Sequence, residues 1–194
     1  FMAAVLAGLA YSFGVAAAIV AGRRLWQFMG ADSTTDLPLW QLPLVLAMLI
    51  GAVVTGRMMS HDTAVRGALF VGSILTALGL VALAAASRES SFIACLPGLV
   101  LVGAGTGGMA IPFGYLIIRV APSTAFGPVT GTRVALGEFG YAIGVALMAL
   151  LLSTLTLGDG YSHALTVSLG VAAFMILVAG AVAAHLLRGT DVSQ

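Results

Sequence analysis

Long apolar stretches separated by short polar segments are the dominant pattern of this chain. The stretches cover residues 2–22, 38–56, 67–86, 92–118, 129–155 and 163–187. Each is close to or longer than the roughly 20 residues that an α-helix needs to cross about 30 Å of hydrocarbon. We therefore predict an all-α membrane protein with six transmembrane helices in one bundle over residues 1–188, followed by a short cytoplasmic tail, 189–194.

The composition excludes several classes of protein. Hydrophobic residues make up 60% of the chain and charged residues 8%, whereas soluble domains carry about 25% charged residues. The connections are too short to hold a soluble catalytic domain, and without a basic cluster we expect no nucleic-acid partner. Cys95 and three dispersed histidines do not have the spacing of a metal site, so we expect neither a metal nor another cofactor.

The distribution of arginine predicts the orientation in the membrane. One side of the predicted bundle holds Arg57, Arg66, Arg119, Arg133 and Arg188, and the other holds Arg23, Arg24 and Arg88. Because cytoplasmic loops carry the excess of positive charge, both termini are predicted to be cytoplasmic in a multi-pass protein of a plasma or bacterial inner membrane. Arg133 is expected to extend along its helix to the cytoplasmic interface. On the opposite side, Trp26 and Trp40 are predicted to be aromatic anchors at the membrane surface.

Small residues at four-residue spacing predict where helices pack closely. Such spacing lets helix backbones approach each other in lipid, where burial of apolar surface does not drive association. Pro112 removes a backbone hydrogen bond and predicts a kink in the fourth span. The predicted helix-packing residues are Gly103, Gly107, Pro112, Gly131, Gly140 and Gly144. Packing alone explains such a pattern, but its repetition on two adjacent spans beside a proline favours helices that also flex.

Three local patterns follow one another along the chain. Segment 56–63 reads G-R-M-M-S-H-D-T and stands where a G-R-L-A-D-R-x-G pattern would be. The fourth span carries Gly103, Gly105 and Gly107 followed by Pro112, and the fifth carries Gly127, Gly131, Gly140, Gly144 and Ala146. With the helix count, these patterns resemble the C-terminal six-helix half of a drug–proton antiporter of the major facilitator superfamily, in its fourteen-helix branch.

This resemblance implies a fold, a function and partners. The fold would be two three-helix inverted repeats forming one half of a transporter that works by alternating access. The function would be proton-coupled export of lipophilic small molecules or drugs. The partners would be the lipid bilayer, protons, and an N-terminal six- or eight-helix half or a second chain. Six helices would supply one wall of the pathway, so this chain is expected to be a fragment of the transporting unit.

The resemblance also assigns residues to two regions. The predicted cytoplasmic gating loop contains Gly56, Arg57, His61, Asp62 and Arg66, and Ser60 with His61 replaces the family's Asp and Arg there. The first helix of each repeat lines the central cavity in this family. Residues spaced to share one helix face give the substrate-cavity candidates Tyr11, Thr106, Met109 and Phe113.

Glu138 is the one carboxylate well inside an apolar stretch. About nine residues into the fifth span, it is predicted to lie some 14 Å deep. A carboxylate in hydrocarbon must be protonated, paired or in contact with water, and a group that exchanges a proton there suits proton coupling. We predict that Glu138 carries the coupling proton. The alternative is a structural replacement for a polar glutamine, hydrogen-bonded to a neighbouring helix.

Two other functions are alternatives to transport. An intramembrane protease needs a nucleophile with a base, but Ser12, Ser73 and Ser168 have no histidine at comparable depth and G-x-S-G does not occur. The chain is therefore not expected to be an enzyme. A non-transporting membrane receptor or assembly subunit built on the same helices remains open.

Overall fold

Six α-helices form the protein in a computed structural model that describes residues 2–28, 36–59, 62–87, 91–120, 126–156 and 161–187. The helices are α1 (Met2–Phe28), α2 (Asp36–Met58), α3 (Asp62–Ala86), α4 (Phe92–Val120), α5 (Phe126–Thr156) and α6 (Tyr161–Leu186). All six are long and apolar enough to cross a membrane. The all-helical, six-span prediction is confirmed at this level.

Most of the helices are longer than the apolar stretches that predicted them. Helix α1 continues past Arg23 to Phe28, and α3 begins at Asp62 and thus includes Arg66. A helix satisfies its own backbone hydrogen bonds and therefore does not have to end where the hydrocarbon ends. A charged residue in the sequence consequently does not mark the end of a helix.

The helices pack in a repeated pattern. Helix α4 packs against α2 and α3, while α1 packs against α5 and α6, and α3 also contacts α6. If α1, α2 and α3 exchange places with α4, α5 and α6, respectively, the contacts of α4 with α2 and α3 become those of α1 with α5 and α6. Successive spans cross the membrane in opposite directions, and two spans lie between α1 and α4, so these two helices run in opposite directions.

Helix α4 makes its closest approaches through glycine. A Cβ at Gly103 would collide with the carbonyl oxygen of Leu44, and one at Gly107 with that of Met48, both on α2. A Cβ at Gly105 would meet the backbone nitrogen of Thr76 on α3 at 2.5 Å. Small residues on α4 thus let two neighbouring backbones approach, as the four-residue spacing predicted. The helix continues through Pro112, which is buried.

Helix α5 uses only some of its glycines to pack within the described chain. A Cβ at Gly144 would lie 2.7 Å from the Cβ of Ala16, and one at Gly140 would lie 3.1 Å from the Cβ of Ser12, both on α1. A Cβ at Gly131 meets nothing within 4 Å. Gly131 therefore makes no close approach in this part of the chain, unlike the other predicted packing glycines.

An aromatic cluster brings together the two tryptophans that the sequence predicted as anchors at the membrane surface. The ring of Trp26 lies 3.6 Å from that of Trp40 and 5.4 Å from that of Phe92, measured between centroids. Trp26 is only 1% exposed. The starts of α2 and α4 pack over Trp26, so its ring is buried in the bundle, and its role as an anchor at the membrane surface stays a prediction.

Candidate functional site

A groove of about 460 Å³ opens between α1, α4 and α5. Among the clefts in the part of the chain that the structure describes, this one brings together a carboxyl group, a guanidinium and aromatic rings. Its lining comprises Tyr11, Ser12, Val15, Phe113, Arg133, Val134, Gly137, Glu138 and Tyr141.

The part of the groove contributed by α5 follows from helical spacing. Arg133, Gly137 and Tyr141 are four residues apart, and Glu138 is three residues before Tyr141, so all lie on one side of the helix. Counted from Phe126 at 1.5 Å a residue, Arg133 lies about 10 Å and Glu138 about 18 Å along α5. Both residues fall inside the membrane-spanning part of the helix, Thr130–Thr156.

Arg133 lies across α4 beside the groove. Its guanidinium carbon is 5.8 Å from the centroid of the Phe113 ring, and a Cβ at Gly114 would lie 3.3 Å from that same carbon. That Arg133 also reaches the cytoplasmic interface, as the sequence suggests, stays a prediction. The absence of a side chain at Gly114 leaves space for the guanidinium against α4, and the π-face of Phe113 attracts its charge.

The four substrate-cavity candidates separate into two groups. Tyr11 and Phe113 line the groove, with ring centroids 6.1 Å apart. Met109 is completely buried beside α3 and accepts a hydrogen bond from Ser73 Oγ at 3.3 Å. Thr106 is also buried, and its hydroxyl donates to the carbonyl oxygen of Val102 at 2.8 Å. Met109 and Thr106 therefore occupy helix interfaces and do not line the groove.

Glu138 lies on the groove wall with an exposed side chain. No ion pair joins it to Arg133 within the described part of the chain. The two residues are five positions apart on α5, which puts their side chains about 140° apart around the helix axis. The groove thus presents a carboxyl group and a guanidinium at separate points along its length.

The predicted gating residues lie at the ends of two helices. Gly56 and Arg57 belong to the last turn of α2, where both are exposed, and Arg66 lies in the second turn of α3. Asp62 is the first residue of α3, and His61 lies outside the described residues. The described structure thus places this region in two helix ends rather than in one long loop.

Of the nine residues that line the groove, the sequence assigns only Tyr11, Phe113 and Glu138 to a site. The sequence does not point to the other six as groove residues: Ser12, Val15, Arg133, Val134, Gly137 and Tyr141. The signal was present in α5, since Val134, Glu138 and Tyr141 follow the i, i+4, i+7 spacing of a helix face. The missing information was that this face lies against Tyr11 on α1 and Phe113 on α4.

Two comparisons with known proteins give no match to this chain. No protein-family model matches it, and no curated protein matches it.

Proposed function

We propose that this chain is one half of a proton-coupled membrane transporter that exports lipophilic small molecules by alternating access. The observation that carries the proposal is the groove, in which Glu138 and Arg133 lie beside the rings of Tyr11 and Phe113 within the membrane-spanning helices. Intramembrane charged residues mark substrate and ion pathways because they are costly anywhere else in a bilayer.

The helix packing supports a half-transporter built from two repeats. The contacts of α4 with α2 and α3 correspond to those of α1 with α5 and α6. Two three-helix units of opposite orientation are the architecture that the resemblance to the major facilitator superfamily implies. In transporters with inverted repeats, the substrate site lies near the middle of the membrane where repeats meet.

The exposed surfaces of α2 and α5 support a second bundle as partner. In the apolar 18-residue segment of α2 only 11% of the residues are buried, and in that of α5 only 17%, whereas in that of α1 the fraction is 61%. More than half of the residues that line the groove belong to α5. An N-terminal six- or eight-helix half, or a second chain, would cover these helices and close the groove into a pathway.

Glu138 is the proposed proton carrier. With Glu138 ionised, its charge and that of Arg133 cancel, and the described lining of the groove is neutral; protonation of Glu138 leaves a net charge of +1. A lipophilic cation therefore competes with a proton for the groove. Such competition couples the outward movement of one to the inward movement of the other in alternating access.

Proton flux in liposomes tests this proposal. The full chain, alone and together with a partner half, is reconstituted with a pH-sensitive dye inside, and tetraphenylphosphonium is added as the lipophilic cation. We expect substrate-linked proton flux in at least one of these two preparations. The flux should be lost in Glu138→Gln and retained in the matched variant Glu138→Asp, which keeps the carboxyl group.

Two results contradict the proposal. Unchanged flux in Glu138→Gln would exclude this carboxyl as the proton carrier. Binding of tetraphenylphosphonium without proton flux in either preparation would favour the non-transporting receptor or subunit.

A further inference from the structure

A second crevice lies between α3 and α6, at the end of the bundle where α3 begins and α6 ends. It encloses about 670 Å³ and is separate from the groove on α5, sharing no lining residue with it. Its walls include Phe70 on α3 and Val182 on α6, which are 47% and 43% exposed. Both walls are therefore apolar surfaces that the described protein leaves uncovered.

The shape of the crevice follows from where the two helices touch. A Cβ at Gly180 on α6 would lie 2.5 Å from the Cβ of Ser73 on α3, so the backbones approach closely at that level. Nearer the end of the bundle, a Cβ at Gly67 meets nothing within 4 Å. The helices thus leave open space between Gly67 and the residues that follow Gly180.

The arginine Arg66 and the histidine His185 lie at the end of the crevice that is nearest the membrane surface. Arg66 is the second residue of the membrane-spanning segment Val65–Ala86, and His185 is the last but one of Ser162–Leu186. Both line the crevice, and its described lining contains no acidic side chain. Arg66 carries a permanent positive charge, while the imidazole of His185 donates at least one hydrogen bond in either protonation state.

We propose that this crevice binds an anionic glycerophospholipid. The phosphate accepts hydrogen bonds from Arg66 and His185 at the membrane surface, and an acyl chain lies along Phe70 and Val182 toward Gly180. Basic pockets between transmembrane helices are known to bind acidic headgroups. The apolar walls favour a lipid over a free phosphate, because only a lipid covers them. This inference does not depend on the transport proposal.

Native mass spectrometry of the full chain, purified in detergent and mixed with dioleoylphosphatidylglycerol, tests the inference. We expect the lipid to be retained, and the double variant Arg66→Gln/His185→Gln to lower the retained fraction by about five- to tenfold. Arg57→Gln is the matched control, because it removes an exposed arginine at the end of α2 that does not line the crevice. It should retain the lipid as the unmodified chain does.

A steric variant separates the shape of the site from its charge. Gly67→Phe places a ring in the open part of the crevice and leaves Arg66 and His185 in place. Since a side chain at Gly67 meets no protein atom at its Cβ, the variant should fold and still lose the lipid.

Four outcomes would overturn the inference. In the first two, the double variant or Gly67→Phe retains as much dioleoylphosphatidylglycerol as the unmodified chain does. In the third, the unmodified chain retains dioleoylphosphatidylcholine equally well, and in the fourth, inorganic phosphate displaces the lipid. A dimer that Gly67→Phe dissociates would show that a second copy covers the crevice instead.

Discussion

The guanidinium carbon of Arg133 lies 5.8 Å from the ring centroid of Phe113, across the interface between α5 and α4. Phe113 itself is only 2% exposed, and its ring occupies the place where a side chain at Gly8 of α1 would be. The position of the positive charge in the groove therefore depends on contacts among α1, α4 and α5, and α1 lies far from the other two in the sequence.

A double-mutant cycle should detect this contact. We expect Arg133→Gln and Phe113→Leu to be coupled by about 0.5–2 kcal/mol in the free energy of unfolding, because the leucine keeps apolar volume but removes the π-face. The measurement is unfolding of the full chain in mixed micelles.

Arg23→Gln provides the control for that cycle. Arg23 is exposed on α1, fifteen residues and about 22 Å along the helix from Gly8. Its coupling to Phe113→Leu should stay within about 0.5 kcal/mol. Equal coupling in the two cycles would mean that Arg133 has no specific contact with the ring.

Two glycines with the same sequence pattern should respond differently to substitution. Gly107→Ala places a methyl group against the carbonyl group of Met48, whose carbon lies 2.7 Å away. We expect a loss of about 1–3 kcal/mol in the free energy of unfolding, since the α2 backbone must move. Gly131→Ala meets nothing within 4 Å and should be neutral or slightly stabilising. Losses of equal size would show that α4 and α2 are not in close contact at Gly107.

The sequence predicts the six helices well because each apolar stretch has the length of a membrane crossing. It also predicts the closely packed glycines of α4, whose spacing is local. It does not distinguish Gly131 from Gly107, because only the neighbouring helix decides whether a glycine is needed. For the same reason it groups Thr106 with Phe113: both side chains are buried, but only Phe113 lines the groove. Residues on a shared helix face can meet different neighbours at different depths.

Cysteine labelling should show whether water reaches the groove. In a Cys95→Ala background, Val134→Cys on the groove wall is expected to react with a water-soluble maleimide about tenfold or more faster than Phe174→Cys, because the reactive thiolate forms poorly in hydrocarbon. Phe174 is a suitable control, being 68% exposed near the middle of α6. Equal rates in membrane vesicles would argue against a hydrated groove, and Glu138 would then need a partner from another chain.

Two substitutions of Trp26 should separate its ring from its indole nitrogen. Trp26 is 1% exposed, and its Nε1 is buried without a hydrogen-bond acceptor among the described residues. Trp26→Ala removes the ring from the contact with Trp40 and Phe92 and should lower the free energy of unfolding by about 3–5 kcal/mol. Trp26→Phe keeps an aromatic ring and removes an unpaired donor, so its cost should be smaller, about 1–2 kcal/mol. Unfolding can be followed by the emission of the remaining Trp40. If the phenylalanine variant were as unstable as the alanine variant, a hydrogen bond from Nε1 would have to contribute to the fold, and the end of α1 would be held by more than aromatic packing.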